Sequence, residues 1–112
     1  MYEYKAIVTH IVDGDTIDAD VDLGFHLTAK LRLRFSRINT PERGKPGFTE
    51  ATDRVKELIP VGALIHITTS KTGGFGRWLA EINYFNDQAP ILPINLNNQL
   101  LREGYAVPYV RK

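Results

Sequence analysis

The chain has no cysteine, one methionine and one tryptophan among 112 residues. Without cysteine, no disulfide can staple the fold and no thiolate can hold a metal or attack a substrate. A reducing compartment is permitted by that absence but not required by it. No apolar run reaches the length of a signal peptide or a bilayer span, and the opening "MYEYKAIVTH" is no exception. The expectation is a cytoplasmic protein that does not enter a membrane. Net charge is also scarce, at +1, so bulk charge names no partner. No internal repeat, low-complexity tract or linker divides the chain. One domain, residues 1–112, is expected at this length. Such a chain should bury roughly 60–70% of its unfolded surface around a single core.

What charge there is lies in blocks. Met1 to Leu27 carries one lysine against six acids, a net of −5. Thr28 to Lys45 carries six basic residues against Glu42, a net of +5, and Pro46 to Lys112 carries seven against six, a net of +1. Adjoining blocks of opposite sign could hold a metal cation beside a phosphate. They could equally be two solvated strand faces that pair across a sheet. Charge alone favours the sheet.

Hydrophobic periodicity gives an order of elements. Tyr4 to Val12 is rich in β-branched residues and reads as a strand. Asp13-Gly14 is a hairpin signal. Thr16 to Leu23 then alternates, with Ile17, Ala19, Val21 and Leu23 on one face and Asp18, Asp20 and Asp22 on the other. Thr28 to Ile38 alternates again: Ala29, Leu31, Leu33 and Phe35 against Lys30, Arg32, Arg34 and Ser36. This is the pattern of half-buried antiparallel strands. The period then lengthens. Phe48, Ala51, Val55 and Leu58 are spaced for an amphipathic helix that Pro60 and Gly62 end. Ala63 to Thr69 and Arg77 to Phe85 read as strands, and Asn95 to Glu103 as a second helix with Gly104 as its cap. Three strands, a helix, two strands and a helix match an α+β, mainly β, fold: a five-stranded OB-fold barrel with two helices. A five-stranded α+β sheet of another topology is the competitor.

Individual residues that could do chemistry each admit a plainer explanation. Asp15 in "VDGDT" is a turn acid beside a hairpin glycine, or a hard oxygen ligand at a strand end. Thr40-Pro41-Glu42 has the look of a helix start, but Gly44, Lys45, Pro46 and Gly47 follow at once. Pro41 instead keeps Thr40 extended and fixes the direction of its carbonyl. A rigid carbonyl and a nearby carboxylate suit a cation or a water molecule, although an exposed proline turn is the commoner case. Arg34 and Arg77 lie at or near strand ends, and their planar forks match phosphate oxygens. Singly, each reads as a surface arginine. His10, His26 and His66 lack metal-ligand spacing, and "GGFGR" is not a P-loop.

Read together and in order, "VDGDT", "RFSRINTPE", the helix, "FGRWLAEI" and "NNQLLREGYAVPYV" resemble the staphylococcal (micrococcal) nuclease family, also called thermonucleases. The family has an OB barrel and cleaves phosphodiester bonds in DNA and RNA, usually with calcium. The resemblance implies a Ca2+-dependent nuclease, with Mg2+ or Mn2+ as other possible ions, acting on DNA and/or RNA, and a monomer is expected. It implies that Asp15, Asn39 and the Thr40 carbonyl hold the metal, that Arg34 and Arg77 bind the phosphate, and that Glu42 activates the attacking water. Phe75 and Tyr109 would contact the nucleotide. Asn39 stands where the family most often has an aspartate, and Phe75 where a tyrosine is common. The first change should weaken the metal, because calcium affinity follows ligand charge. A non-catalytic OB module for single-stranded nucleic acid is the alternative, and a protein-interaction barrel with a weakened metal site is a third.

Overall fold

The computed structural model describes residues 2–72, 77–85 and 92–109. Strands β1 (Tyr2–Asp13), β2 (Thr16–Gly24) and β3 (Leu27–Phe35) form an antiparallel meander. A two-residue strand, β4 (Ile38–Asn39), and helix α1 (Phe48–Leu58) come next. Strands β5 (Leu64–Thr72) and β6 (Arg77–Tyr84) pair antiparallel, followed by β7 (Ile94–Asn95), α2 (Leu96–Arg102) and β8 (Val107–Pro108). The main sheet runs β3-β2-β1-β5-β6-β7, and β3 also pairs in parallel with β6. The five long strands therefore close on themselves, which leaves no long open edge. The result is the expected α+β, OB-like barrel with two helices, plus the extra strand β7 on β6. β4 and β8 form a separate two-stranded ladder.

Alternation places the core inside the barrel. Ile17, Ala19, Val21, Leu33, Phe35, Ile65, Ile67, Ala80 and Ile82 point inward and are buried. Each such large side chain contributes roughly 1.5–3 kcal/mol by leaving water. The opposite faces of β2 and β3 carry the two charge blocks, and they pair across the sheet. Asp18 sits opposite Arg32 and accepts a two-pronged bond from its fork, at 2.7 and 3.0 Å. Asp20 sits opposite Lys30 at 4.0 Å. The two blocks thus meet in part as cross-strand pairs on a wet surface, where each pair stabilises little.

α1 seats Ala51, Val55 and the following Ile59 against the barrel. α2 adds Leu96 and Leu100, and its N-terminus is capped by Asn95, whose Oδ1 accepts from the Asn98 N–H at 2.8 Å. Arg54 on α1 grips both oxygens of Glu103 just past α2, at 2.8 and 2.9 Å.

One stretch departs from the expectation. Thr28 to Ile38 is not a single strand: β3 stops at Phe35, and Arg37 adopts a left-handed backbone, φ 69°. The reason is parity. In an unbroken strand Ile38 would share the outer face with Arg32 and Arg34. The left-handed residue resets the phase, so that Ile38 is fully buried and Asn39 faces out.

Candidate functional site

The site begins at the β1–β2 turn. Asp13 Oδ1 accepts the N–H of Asp15 at 3.0 Å, an aspartate turn that aims Asp15 back over the barrel's end. Gly14 between them is in close quarters: a Cβ there would lie 2.8 Å from Cβ of Ala51 and 2.9 Å from Oγ1 of Thr40. Only glycine lets the turn press against α1 and Thr40 together.

Asp15 is buried and fully engaged. Its Oδ2 accepts the N–H of Thr40 at 3.0 Å and lies 3.4 Å from Nη2 of Arg34; its Oδ1 accepts from Thr16 Oγ1 at 3.1 Å. Its backbone carbonyl accepts the N–H of Phe35 at 2.8 Å, locking the turn to the end of β3. Burial opposes its charge, but hydrogen bonds from the Asp13 carboxyl and the Thr40 N–H, with the Arg34 guanidinium nearby, hold it below the usual carboxylate range. Asp13 goes the other way. Burial and its hydrogen bond to the Asp15 carboxylate push it up to about 6. Two carboxyl groups in contact, one ionised and one reluctant to ionise, make an acidic corner.

Arg34 spans this corner. Its Nη1 donates to the Phe35 carbonyl at 2.9 Å, and its Nη2 donates to Oδ1 of Asn39 at 3.2 Å. The ring of Tyr109 lies beside it, 6.0 Å from the guanidinium carbon to the ring centre. Tyr109 is held there by β8: its N–H donates to the Arg37 carbonyl at 2.8 Å, next to the pairing of Asn39 with Val107. An open cavity of about 470 Å³ adjoins them, lined by Arg34, Phe35, Arg37, Leu79, Leu101 and Tyr109. It offers an apolar floor and a cationic rim.

The Thr40-Pro41-Glu42 loop leads into a hydrogen-bonded turn rather than a helix. Lys45 donates to the Glu42 carbonyl at 2.9 Å, closing a turn. Gly47 at φ 92° precedes α1, with Pro41 3.1 Å from where its Cβ would stand. The proline therefore packs against the helix start, and Glu42 is left exposed to solvent, outside the lining of the Arg34 cavity.

Asp15, Arg34, Asn39, Thr40 and Tyr109 thus come together. Arg77 opens β6 opposite Arg32 on the strand that closes the barrel; its side chain and Phe75 lie outside the described part of the structure. Asp13 was missed as a site residue because the hairpin signal explained it fully. The second acid two positions away in "VDGDT" was the available clue.

The donor chemistry suits a hard cation: a buried ionised carboxylate, a second carboxyl beside it, an amide oxygen and a fixed carbonyl, with no nitrogen or sulfur ligand. Among the described residues no group of three or more acids or histidines surrounds one point. A cation here would therefore be held by few charges and complete its shell with neutral oxygens and water. Also among the described residues, no helix is long and apolar enough to cross a membrane.

No family model matches the chain. It is similar to micrococcal nuclease of Shigella flexneri, with 28% identity over 111 residues. The match covers 96% of this chain and 59% of that protein, so the chain spans about three-fifths of the relative's length. That likeness runs through the whole barrel and supports a thermonuclease-like domain.

Proposed function

We propose that this domain is a metal-dependent phosphodiesterase of the thermonuclease type, hydrolysing DNA and/or RNA by in-line attack of water, with Ca2+ as the first choice of ion and Mg2+ or Mn2+ as substitutes. The observation that carries the reading is the seat of Arg34. Its guanidinium sits between the Asp15 and Asn39 oxygens and the Tyr109 ring, at the mouth of the apolar cavity.

In this reading Asp15, Asn39 and the Thr40 carbonyl hold the ion, which when bound would draw charge from a phosphate oxygen and acidify a water. Asp15 is already held ionised, and Arg34 must leave the Asp15 and Asn39 oxygens for an ion to use them. Arg34 presents its fork to the phosphate, exchanging its bonds to Asn39 and Asp15 for stronger charge-assisted bonds to phosphate oxygens. Arg77, at the start of β6, is the second arginine that the family resemblance assigns to the phosphate. Glu42, exposed on its proline-stiffened turn, takes the proton as the water oxygen bonds to phosphorus opposite the departing oxygen. The charge that builds on phosphorus oxygens meets positive groups fixed in advance. Tyr109 and the cavity floor take the base.

A second reading is favoured by one observation. Arg34 already satisfies Asn39 and part of Asp15, and Asn39 supplies no charge. A module that binds single-stranded nucleic acid without cleaving it could use the same arginine and tyrosine. Cleavage of labelled single-stranded DNA in EDTA, Ca2+, Mg2+ or Mn2+ separates the two. Metal-dependent cleavage that disappears in Glu42→Gln supports the nuclease. Salt-dependent binding with no turnover in any metal supports the module.

A further inference from the structure

A second polar cluster lies behind the site, on the outer face of β6. The Glu81 carboxylate accepts from Oγ of Ser36 at 2.5 Å, from Nε and Nη2 of Arg37 at 2.9 and 2.6 Å, and from Nδ2 of Asn95 at 3.1 Å. Arg37 Nη2 continues to Oδ1 of Asn98 at 2.8 Å. Beneath it the fully buried Asn97 donates from Nδ2 to the Ser36 carbonyl at 2.9 Å and accepts the Ile82 N–H at 3.0 Å. Burial opposes charge on Glu81, but the bonds from Arg37 and Ser36 hold its carboxyl below the usual range.

The barrel itself does not call for this carboxylate. The neighbouring inward residues, Ala80 and Ile82, supply the packing on that strand. What Glu81 grips is the turn after Arg34. That turn has a left-handed arginine, which a side chain disfavours. It also fixes three parts of the site: the end of β3 that carries Arg34, the reset that delivers Asn39 and Thr40, and the Arg37 carbonyl that anchors Tyr109.

We propose that Glu81 is a positioning residue: it clamps Ser36 and Arg37 in the left-handed turn that brings Thr40 to Asp15 and Tyr109 to Arg34. The geometric claim stands on these contacts, and its catalytic consequence rests on the nuclease reading. If the clamp holds the turn, losing it should loosen the site while the barrel stays closed. Glycine at 37 should then compensate, because glycine adopts the left-handed backbone without a side-chain penalty.

The test is amide hydrogen exchange of Thr40 and Tyr109, followed by NMR, in the wild type, Glu81→Ala, Glu81→Gln and the double variant Glu81→Ala with Arg37→Gly. Glu81→Ala should speed both amides about tenfold, with β1 and β2 core amides unchanged. Adding Arg37→Gly should restore much of the protection. Glu81→Gln keeps an acceptor and should fall between; it carries the comparison if the alanine variant does not fold. Unchanged protection at Thr40 and Tyr109 would overturn the proposal, as would equal loss at every amide or failure of glycine to compensate. Cleavage assays on the same proteins should show turnover falling and recovering with that protection. If the wild type cleaves nothing, the nuclease reading fails and the exchange data still decide the clamp.

Discussion

Replacing Gly14 with alanine tests how the acidic turn is seated. The new methyl carbon would stand 2.8 Å from Cβ of Ala51 and 2.9 Å from Oγ1 of Thr40. Carbon atoms rest at about 3.5–4.0 Å, so the helix side needs close to ~1 Å of relief. Ala51 cannot supply it by rotating, since its Cβ is fixed to the backbone of a helix face with no exposure. Thr40 is tied by its N–H to Asp15. Overpacking of this kind costs about 1–3 kcal/mol. The stiffer unfolded chain offsets about 0.4–1 kcal/mol of that. A net loss of about 1–2 kcal/mol corresponds to a fall in Tm of about 4–8 °C in a domain of this size. Thermal and urea unfolding would read it. The turn and α1 must also part, which stretches the Asp15–Thr40 bond, so cleavage should fall further than stability. Adding Ala51→Gly should recover part of the cleavage by removing the nearer contact, while the contact to Thr40 remains. It should not recover the Tm, since glycine inside a helix costs about 1 kcal/mol. A Gly14→Ala protein melting within about one degree of the wild type would show that the turn is not packed as described.

Glu42→Gln and Arg34→Ala should each lower kcat by about 10²–10³, the usual loss for one preorganised partner of the developing charge, with folding checked by circular dichroism. Rates within a factor of about two of the wild type in either would remove that residue from the mechanism. Asn39→Asp should tighten Ca2+ binding measured by calorimetry, because it adds a charge to a site poor in them. The pH dependence of stability should carry the mark of Asp13. Its folded value, about 6, lies above its ordinary 3.8, so between those values the folded state holds the extra proton and stability falls as pH rises. Asparagine mimics the protonated acid. Asp13→Asn should therefore match the wild type near pH 4 and exceed it near pH 8 in urea midpoints. Equal midpoints at both pH values would contradict the shift.

The barrel was legible because its strands alternate and its helices change the period, and both signals are local. Even the bland fate of Asp18 and Asp20 could be read from the facing charge blocks. What stayed hidden depended on pairings distant in sequence. Nothing near Ser36 announces a break, because "RFSRIN" alternates acceptably until one asks where Ile38 must go. Glu81 gave no sign of its role, since its partners lie 45 positions before it and 14 after it. Gly14 looked like an ordinary turn glycine; its need for space comes from Thr40 and Ala51. In the site, Asp15, Arg34, Asn39 and Glu42 could be nominated through the family resemblance. For its neighbour Asp13 the sequence offered only the doubled acid of "VDGDT"; the raised carboxyl comes from burial and contact with Asp15.

The clasp between β4 and β8 separates two kinds of order. Residues 39 and 107 meet across most of the chain through a ladder of two residues, with Val107 and Pro108 exposed. Bringing such distant segments together costs loop entropy before any contact rewards it. So small a ladder should open at far less free energy than the barrel. Release of β8 would carry Tyr109 away while Asp15 and Arg34 stay in place. The chain can therefore be fully folded by the measure of its core and still lack the Pro108–Tyr109 side of its cavity, so the fraction of molecules with a complete site is a separate equilibrium from the fraction folded.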